Sequence, residues 1–199
     1  MKKYRLILAD PPWGAANFGP KISAHYPLMF TDNICKMPIQ QVSHEDCVLI
    51  LWSTWTHIED ALRVMKSWGF TYVAGFPWIK LKDPPIMDLF GEFRARPTWG
   101  LGAWCRGCSE PILIGKKGAA SPPLHAHFLG LLSKRLQHSR KPENIYEYAQ
   151  SFPGPYLELF ARRKVDGWDS WGNEIESDIS LSLSVPNKPL KAEKKDVSV

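Results

Sequence analysis

Cysteine is scarce in this chain, and long apolar runs are missing from it. Four cysteines among 199 residues are too few for a disulfide scaffold, so the sequence predicts a reducing compartment, the cytoplasm. The longest dense apolar run, Cys47 to Trp52, is far shorter than the roughly 20 residues that cross a bilayer. Few apolar residues follow the N-terminal lysines before Asp10, and we therefore expect no signal peptide. These scarcities argue against a secreted mini-protein and against a membrane protein.

Charge is present in modest excess, and its position matters more than its total. The formal net charge is +5, from 25 Lys and Arg against 20 Asp and Glu. Residues 81–141 hold ten bases and four acids, a net of +6, whereas residues 142–174 hold three bases and six acids. A positive segment of this kind could bind a polyanion such as a nucleic acid. That it is an ordinary solvated surface is an equal alternative.

Short apolar runs alternate with helical and irregular segments. The runs predict strands over residues 4–9, 47–52, 71–80, 110–115 and 156–161. Apolar residues at helical spacing predict a helix over residues 56–68, which Gly69 ends, and Pro142 begins another helix. This alternation predicts an α/β three-layer domain with a mostly parallel sheet. We assign residues 1–175 to that domain and residues 176–199, which are rich in Ser and Lys without an apolar period, to a disordered tail.

The sharpest motif is Asp10-Pro11-Pro12-Trp13, directly after the first predicted strand. Open parallel sheets bind ligands outside the carboxyl ends of their strands, which is where Asp10 would lie. The two prolines have no N–H donors, so a carboxylate and carbonyl groups converge beside an indole. Such a site fits a planar group that bears an NH₂, for example adenine, whose two amine hydrogens Asp10 and the Pro11 carbonyl would accept. The alternative is a strand-ending turn that Asp10 caps.

With this tetrapeptide, further motifs make the chain resemble the DPPW-motif N6-adenine methyltransferases, the family of the catalytic subunit of the messenger-RNA N6-adenosine methyltransferase. The matching motifs are His25-Tyr26 with Met29, Leu51-Trp52, Trp68-Gly69-Phe70, Trp78-Ile79-Lys80, His138 to Pro142, Glu158 to Arg163, Gly167-Trp168 and Trp171 to Glu174. They cover about residues 4–175. The resemblance implies a Rossmann-like S-adenosylmethionine-dependent methyltransferase fold in permuted motif order, with the catalytic strand before the cofactor strand.

The resemblance also implies which residues act in the site. Asp10, Pro11, Pro12 and Trp13 are the implied catalytic residues. S-adenosylmethionine is the implied methyl donor, with Lys117 at its carboxylate. The implied donor-binding set is Asp10, Lys117, Ser139, Lys141, Pro142, Glu158, Phe160, Arg162, Asn173 and Glu174. Without the family, Glu158 is an acid in a buried strand and Arg162 is a surface charge.

The implied substrate is adenine in a nucleic acid, with DNA favoured over RNA. Trp13 and Tyr26 are expected to contact the target base. Lys82, Arg94 and Arg96 lie in a long irregular loop, where phosphate contact and plain solvation are equal alternatives. The alternative functions are N6-adenosine methylation of RNA and a catalytically inert nucleic-acid-binding subunit. We expect no membrane partner, and a homo-oligomer or a partner subunit remains open.

A weaker motif is the C-x-x-C spacing of Cys105 and Cys108. His125 and His127 would complete a zinc site, and the preceding Trp104 is also typical of thioredoxin-type motifs. The motif precedes a strand rather than opening a helix, so we favour thiols without a chemical role and expect no metal.

Overall fold

A seven-stranded sheet forms the centre of the computed structural model, which describes residues 2–14, 28–87, 93–100, 104–123, 130–134 and 141–181. The strands in these ranges are β1 (Tyr4–Ala9), β2 (Ser43–Trp52), β3 (Thr71–Leu81), β4 (Ile86–Met87), β5 (Phe93–Arg94), β6 (Ser109–Lys117), β7 (Leu131–Lys134), β8 (Tyr156–Leu159) and β9 (Trp168–Trp171). The α-helices are α1 (Thr31–Cys35), α2 (Ile58–Ser67) and α3 (Asn144–Gln150).

The order of strands in the sheet is β7-β3-β6-β2-β1-β8-β9, and β6 runs antiparallel to both of its neighbours. The other neighbouring pairs are parallel, which confirms the predicted mostly parallel sheet. A separate antiparallel ribbon consists of β4 and β5. All five predicted strands are present. The sequence prediction missed the two-residue strands β4 and β5. It also missed β7 and β9, which are four residues each and carry polar side chains within the strand.

Helices cover both faces of the sheet, which confirms the three-layer prediction. On one face, α1 and α2 pack on a cluster that includes Ile7, Leu49 and Leu51. On the other face, α3 packs on a cluster that includes Leu8 and Ile50. Successive strand residues point to opposite faces, so a strand that is apolar throughout is buried on both sides.

Helix α2 is shorter than predicted, although its apolar period is intact. Val64, Met65 and Trp68 face the core, and the predicted first residues form a separate 3₁₀ turn, Trp55–His57. Gly69 ends the helix as predicted, because its φ of +83° suits a residue without a Cβ. Helix α3 begins two residues after Pro142.

The packed domain continues beyond the predicted boundary at residue 175. The backbone N–H of Asp178 donates to the Ser170 carbonyl at 2.8 Å, and the Asp178 carboxylate accepts the Ser170 N–H at 2.8 Å. Ile179 packs on the core, and Leu181 is 7% exposed. The prediction of a disordered tail is therefore wrong for residues 176–181, which cover the edge of β9. Residues 182–199 lie outside the described ranges.

The chain changes direction between β1 and β8. After β1 it proceeds to β2 on one side, whereas after β8 it proceeds to β9 on the other. Because the two connections diverge, a crevice opens between the carboxyl ends of β1 and β8, and such switch points are the usual ligand sites of open α/β sheets. We call this side of the sheet the carboxyl edge. None of the helices in the described ranges is long and apolar enough to cross a membrane.

Candidate active site

The Asp10-Pro11-Pro12-Trp13 turn begins where β1 ends and is held by backbone hydrogen bonds. The Trp13 N–H donates to the Pro11 carbonyl at 2.9 Å, and the Met29 N–H donates to the Pro12 carbonyl at 2.9 Å. A carbonyl oxygen has two lone pairs, so Pro11 keeps one acceptor position for a ligand. The turn therefore presents the Asp10 carboxylate and a carbonyl oxygen together, as the sequence predicts.

The indole of Trp13 is positioned by two contacts. Its Nε1–H donates to the Trp52 carbonyl at 3.1 Å. Its ring stacks with the His57 imidazole at 6.0 Å between centroids and 21° between planes. Burial lowers the pKa of His57, which keeps the imidazole neutral. The hydrogen bond and the stack together fix the orientation of the indole beside Asp10.

Asp10 ends a row of four alternating charges on the α3 face of the sheet. Lys141 Nζ lies 3.1 Å from Asp10 Oδ1 and 3.2 Å from Glu110 Oε2. The other oxygen of Glu110 pairs with Lys80. All four side chains are largely buried. Two carboxylates therefore share the Lys141 ammonium, and Glu110 also contacts the Lys80 ammonium.

Two indoles enclose the cations of this row. Lys141 Nζ lies 4.9 Å from the centroid of Trp52 and 6.0 Å from that of Trp78. Lys80 Nζ lies 4.7 Å from the centroid of Trp78. A cation over an indole face is attracted by the ring quadrupole, and the attraction is stronger where water is excluded. The rings thus hold both ammonium groups beside the acids.

The charges in the row shift one another's pKa values in a consistent pattern. Burial raises the pKa of Asp10, and the nearby Glu110 carboxylate raises it further, against the opposing effect of Lys141. Burial alone would raise the pKa of Glu110, but Lys141 and Lys80 outweigh it and lower that pKa. Burial would lower the pKa of Lys141, but Asp10 and Glu110 outweigh it and raise that pKa. Asp10 is thus the acid of the row that holds a proton more readily than usual.

The crevice beside Asp10 contains five of the residues predicted to bind the donor: Asp10, Phe160, Arg162, Asn173 and Glu174. Their roles remain predictions. Arg162 Nε lies 3.5 Å from Glu174 Oε1 across the crevice. Guanidinium, carboxylate, amide and aromatic groups are the set that a ligand with an amino-acid end, ribose hydroxyls and a purine would need. The residues present therefore fit S-adenosylmethionine.

The backbone of the crevice shows two features typical of a ligand site. Phe160 has a φ of +63°, a strained conformation for a residue with a side chain, directly after β8. A Cβ at Gly172 would overlap the Ala161 carbonyl oxygen, so only glycine permits the loops after β8 and β9 to approach this closely. These loops form the wall of the crevice opposite Asp10.

Glu158 lies beside the crevice rather than in its lining. Its Oε2 accepts a hydrogen bond from the Tyr146 hydroxyl at 2.9 Å. Burial raises the pKa of Glu158 to about 7, and the negative charge of Asp10 adds to the shift. Its predicted contact with the donor is not visible here, because the carboxylate faces α3.

The structure places Lys117 away from the crevice beside Asp10, and its contact with the donor's carboxylate stays a prediction. Lys117 Nζ donates to Ser43 Oγ at 2.8 Å, and Lys117 is paired with Cys47 near the amino end of β2. The physical reason is the direction of β6: an antiparallel strand ends at the edge opposite the one where its parallel neighbours end. Pro142 is buried before α3. Ser139 and Tyr26 lie outside the described residues.

The three predicted phosphate contacts lie on an exposed arm that follows β3 at the carboxyl edge. Lys82, Arg94 and Arg96 are exposed, and Arg96 pairs with Asp83. The Lys82 N–H donates to the Arg96 carbonyl at 2.8 Å, so the two sides of the arm are held together.

The C-x-x-C motif also lies near this edge. Cys105 is exposed, Cys108 is half-buried and both thiols are free. His125 and His127, which would complete the alternative zinc site, lie outside the described part of the chain.

Sequence reasoning missed Glu110, Lys80, Trp52 and Trp78 as members of the site. Glu110 lies opposite Trp78 in the antiparallel β3–β6 pair, a register that no local pattern reveals. The available signal was an acid directly before the apolar run of β6. A charged group at the end of a buried strand is a candidate for pairing within a site.

The fold and the crevice together define a Rossmann-like α/β protein with its ligand site at the switch point. The MT-A70 family model matches residues 4–174, and the chain belongs to that family. The resemblance to N6-adenine methyltransferases is thereby confirmed.

Among curated relatives, the Type II methyltransferase M.MunI of Mycoplasma sp is 28% identical over 202 residues, covering 87% of this chain and 78% of the relative. The N(6)-adenine-specific methyltransferase METTL4 of Homo sapiens is 30% identical, covering 87% of this chain and 38% of the relative. The N6-methyladenosine RNA methyltransferase MTA1 of Pyricularia oryzae is 26% identical, covering 86% of this chain and 47% of the relative. The chain therefore spans less than half of the latter two proteins.

Proposed function

We propose that this protein transfers a methyl group from S-adenosylmethionine to the N6 amine of adenine in a nucleic acid, with DNA as the favoured substrate. The main observation behind the proposal is that an acceptor site for an amine and a ligand crevice adjoin at the switch point between β1 and β8. The Asp10 turn offers acceptors for an amine, and the crevice that Arg162, Asn173 and Glu174 line begins directly beside it.

Asp10 and Pro11 act on the amine of the target base. That amine is a poor nucleophile, because its lone pair is delocalised into the ring. Accepting its two N–H groups at the Asp10 carboxylate and the Pro11 carbonyl favours a more tetrahedral, nucleophilic nitrogen. After the N–C bond has formed, the nitrogen loses a proton, and the raised pKa of Asp10 makes its carboxylate a better proton acceptor than an ordinary aspartate.

S-adenosylmethionine, when bound, supplies a methyl group that its sulfonium has already activated. The main task of the protein is then alignment of the amine with that methyl group. Arg162, Asn173 and Glu174 hold the donor, while the Trp13 indole contacts the base. Lys141 holds the Asp10 carboxylate in place. In a duplex, the adenine has to leave the stack, at a cost of a few kcal/mol.

The names of the relatives and the net charge of +6 in residues 81–141 support a nucleic-acid substrate. One relative is a Type II methyltransferase, one is N(6)-adenine-specific, and one methylates RNA. The similarity to MTA1 keeps RNA as the alternative substrate.

Incubation with S-adenosylmethionine and defined DNA and RNA oligonucleotides, followed by mass spectrometry of the nucleosides, tests the proposal. We expect N6-methyldeoxyadenosine from DNA, and far less of it in the same time from an Asp10→Ala variant. A product from RNA alone establishes the alternative substrate. Nucleic-acid binding by the wild type without any methylated nucleoside overturns the enzymatic proposal in favour of a binding subunit.

A further inference from the structure

Three tryptophans at the carboxyl edge expose their indole rings, and we call them the indole platform: Trp55, Trp99 and Trp104. Their exposed fractions are 56%, 65% and 101%. Tryptophan is the largest apolar side chain, and several exposed together mark an interaction site more often than a plain surface. None of the three is among the residues that line the crevice beside Asp10.

Hydrogen bonds fasten the platform to the ends of β3 and β6. Trp55 Nε1–H donates to Ser109 Oγ at 3.1 Å, which ties its indole to the first residue of β6. The Lys80 N–H donates to the Cys108 carbonyl at 2.8 Å, and the Lys80 carbonyl accepts the Thr98 N–H at 2.8 Å. The segments that precede β6 and follow the arm therefore meet at Lys80.

The remaining two indoles belong to the loop between these segments. Trp99 lies between Thr98 and Gly100, and the Gly100 N–H donates to the Gly107 carbonyl at 2.9 Å. Trp104 lies in the part of the loop that this hydrogen bond closes. The three indoles thus project from one hydrogen-bonded framework rather than from unrelated parts of the surface.

The charge around the platform selects its ligand. Lys82, Arg94, Arg96 and Arg106 are exposed on the same arm and loop, while the described acid of the arm, Asp83, pairs with Arg96. Exposed cations interleaved with exposed aromatic rings are the chemistry of single-stranded nucleic-acid binding: the cations follow the phosphates and the rings stack on unpaired bases. A paired duplex hides the faces of its bases and could use only the cations.

The platform is connected to Asp10. Lys80, which organises the framework, pairs with Glu110, and Glu110 shares Lys141 with Asp10.

We propose that the indole platform stacks on unpaired bases beside the target adenine, so that the protein binds single-stranded or locally opened nucleic acid more tightly than closed duplex. The inference rests on the proposed function for the class of ligand. It goes further in naming the stacking residues and the strandedness.

The test is equilibrium binding of labelled oligothymidine and of a closed duplex of equal length, measured by fluorescence anisotropy. Oligothymidine contains no adenine, so binding is read without methyl transfer. We expect Trp99→Ala and Trp104→Ala each to weaken binding of the single strand by about 5- to 150-fold, the range for loss of one base–aromatic stack. Trp→Phe variants should retain most of the affinity, and Trp→Leu variants should lose it.

Two controls separate stacking from other effects. Tyr72, which is 49% exposed near the amino end of β3, gives a matched aromatic control, and Tyr72→Ala should leave binding unchanged. Replacing a neutral indole should leave the slope of log K against log[salt] unchanged. Replacing Arg94 and Arg96 together by Ala should flatten it by up to about two units.

Three results would overturn the inference: wild-type protein that prefers duplex, unchanged single-strand affinity in both Trp→Ala variants, or Trp→Leu variants that bind as well as Trp→Phe. The last result would show that the platform makes general apolar contacts rather than stacking on bases. Methyl transfer by the wild type to adenine-containing strands is measured separately. If the protein transfers no methyl group but its single-strand binding depends on Trp99 and Trp104, the proposed function is rejected and the inference about the platform is retained.

Discussion

Asp10 is the residue on which the proposed chemistry depends. The Asp10 and Glu110 carboxylates both contact the Lys141 ammonium, and Glu110 also contacts Lys80. Because Lys141 is shared, it holds Asp10 in place but offsets only part of its negative charge. Removing the Asp10 carboxylate would still leave Lys141 paired with Glu110, so the buried ammonium keeps a partner.

We therefore expect Asp10→Ala to reduce the rate of methyl transfer by about 10²–10³, the loss typical of one hydrogen bond to a developing charge. Single-turnover transfer from radiolabelled donor measures it. Asp32→Ala is the control, since Asp32 is an exposed acid that pairs with Arg63 on the surface and should have no effect on the rate. Turnover above a tenth of the wild-type rate in Asp10→Ala would contradict the catalytic role.

Glu158 makes stability depend on pH near neutrality. Its pKa rises from 4.5 to about 7 on folding, so the folded state binds the proton more tightly than the unfolded state. Stability therefore decreases as pH rises from about 4.5 to about 7, and changes little through this group above that range. The cause is the burial of the carboxylate beside α3.

We expect Glu158→Gln to remove this dependence, because a glutamine still accepts the Tyr146 hydrogen bond and carries no charge. Urea unfolding at a series of pH values gives the free energy of unfolding for both proteins. Above pH 7 the variant should be the more stable one. Equal slopes in the two proteins between pH 5 and 7 would show that Glu158 titrates normally.

At the scale of elements, the loops after β8 and β9 line the crevice beside Asp10, and two adjacent arginines there point in different directions. Arg162 reaches Glu174 in the crevice, whereas Arg163 Nη1 lies 3.1 Å from Glu143 Oε1 beside α3. The two residues carry the same charge, so they form a matched pair for a test of donor binding.

We expect Arg162→Ala and Asn173→Ala each to weaken S-adenosylmethionine binding by about 1–3 kcal/mol, since a buried partner on the ligand would be left unsatisfied. Arg163→Ala should leave the affinity unchanged. Isothermal titration calorimetry measures all three. Equal losses in the two arginine variants would indicate a general effect of charge, and no loss in either crevice variant would remove those residues from the donor site.

The elements also show how far sequence reasoning reaches. β1 and β2 were predictable because a strand buried on both faces is a continuous apolar run. β9 was missed because Asp169 and Ser170 interrupt its run. The direction of β6 depends on which strands it pairs with, and no local pattern encodes that choice. The position of Lys117 away from the crevice and the omission of Glu110 both follow from it.

The candidate site was predictable where a motif carries the chemistry in consecutive residues. Asp10 to Trp13 and the Asn173-Glu174 pair are of this kind. The charged row was not predictable, because it joins the ends of β1, β3 and β6 with the residue before Pro142. Its members come together only through the pairing of strands that are distant in sequence.

At the scale of the whole molecule, the domain extends to residue 181, because Asp178 and Leu181 complete its packing at the edge of β9. We expect a protein truncated after Leu181 to retain the wild-type free energy of unfolding. Truncation after Ile175 should lower it by about 1.5–3 kcal/mol from the leucine alone. Urea unfolding distinguishes the two proteins. Equal free energies of unfolding after both truncations would show that the folded domain ends at residue 175.

The β1–β8 pairing has a consequence for synthesis. Leu8 pairs with Glu158, 150 residues later in the chain, and the two walls of the crevice belong to these two strands. A nascent chain on the ribosome therefore displays its Asp10 turn long before the segment that forms the opposite wall has been translated. Contacts of such sequence separation form late and slowly. Activity should accordingly arise only after the ribosome releases the strands that follow α3.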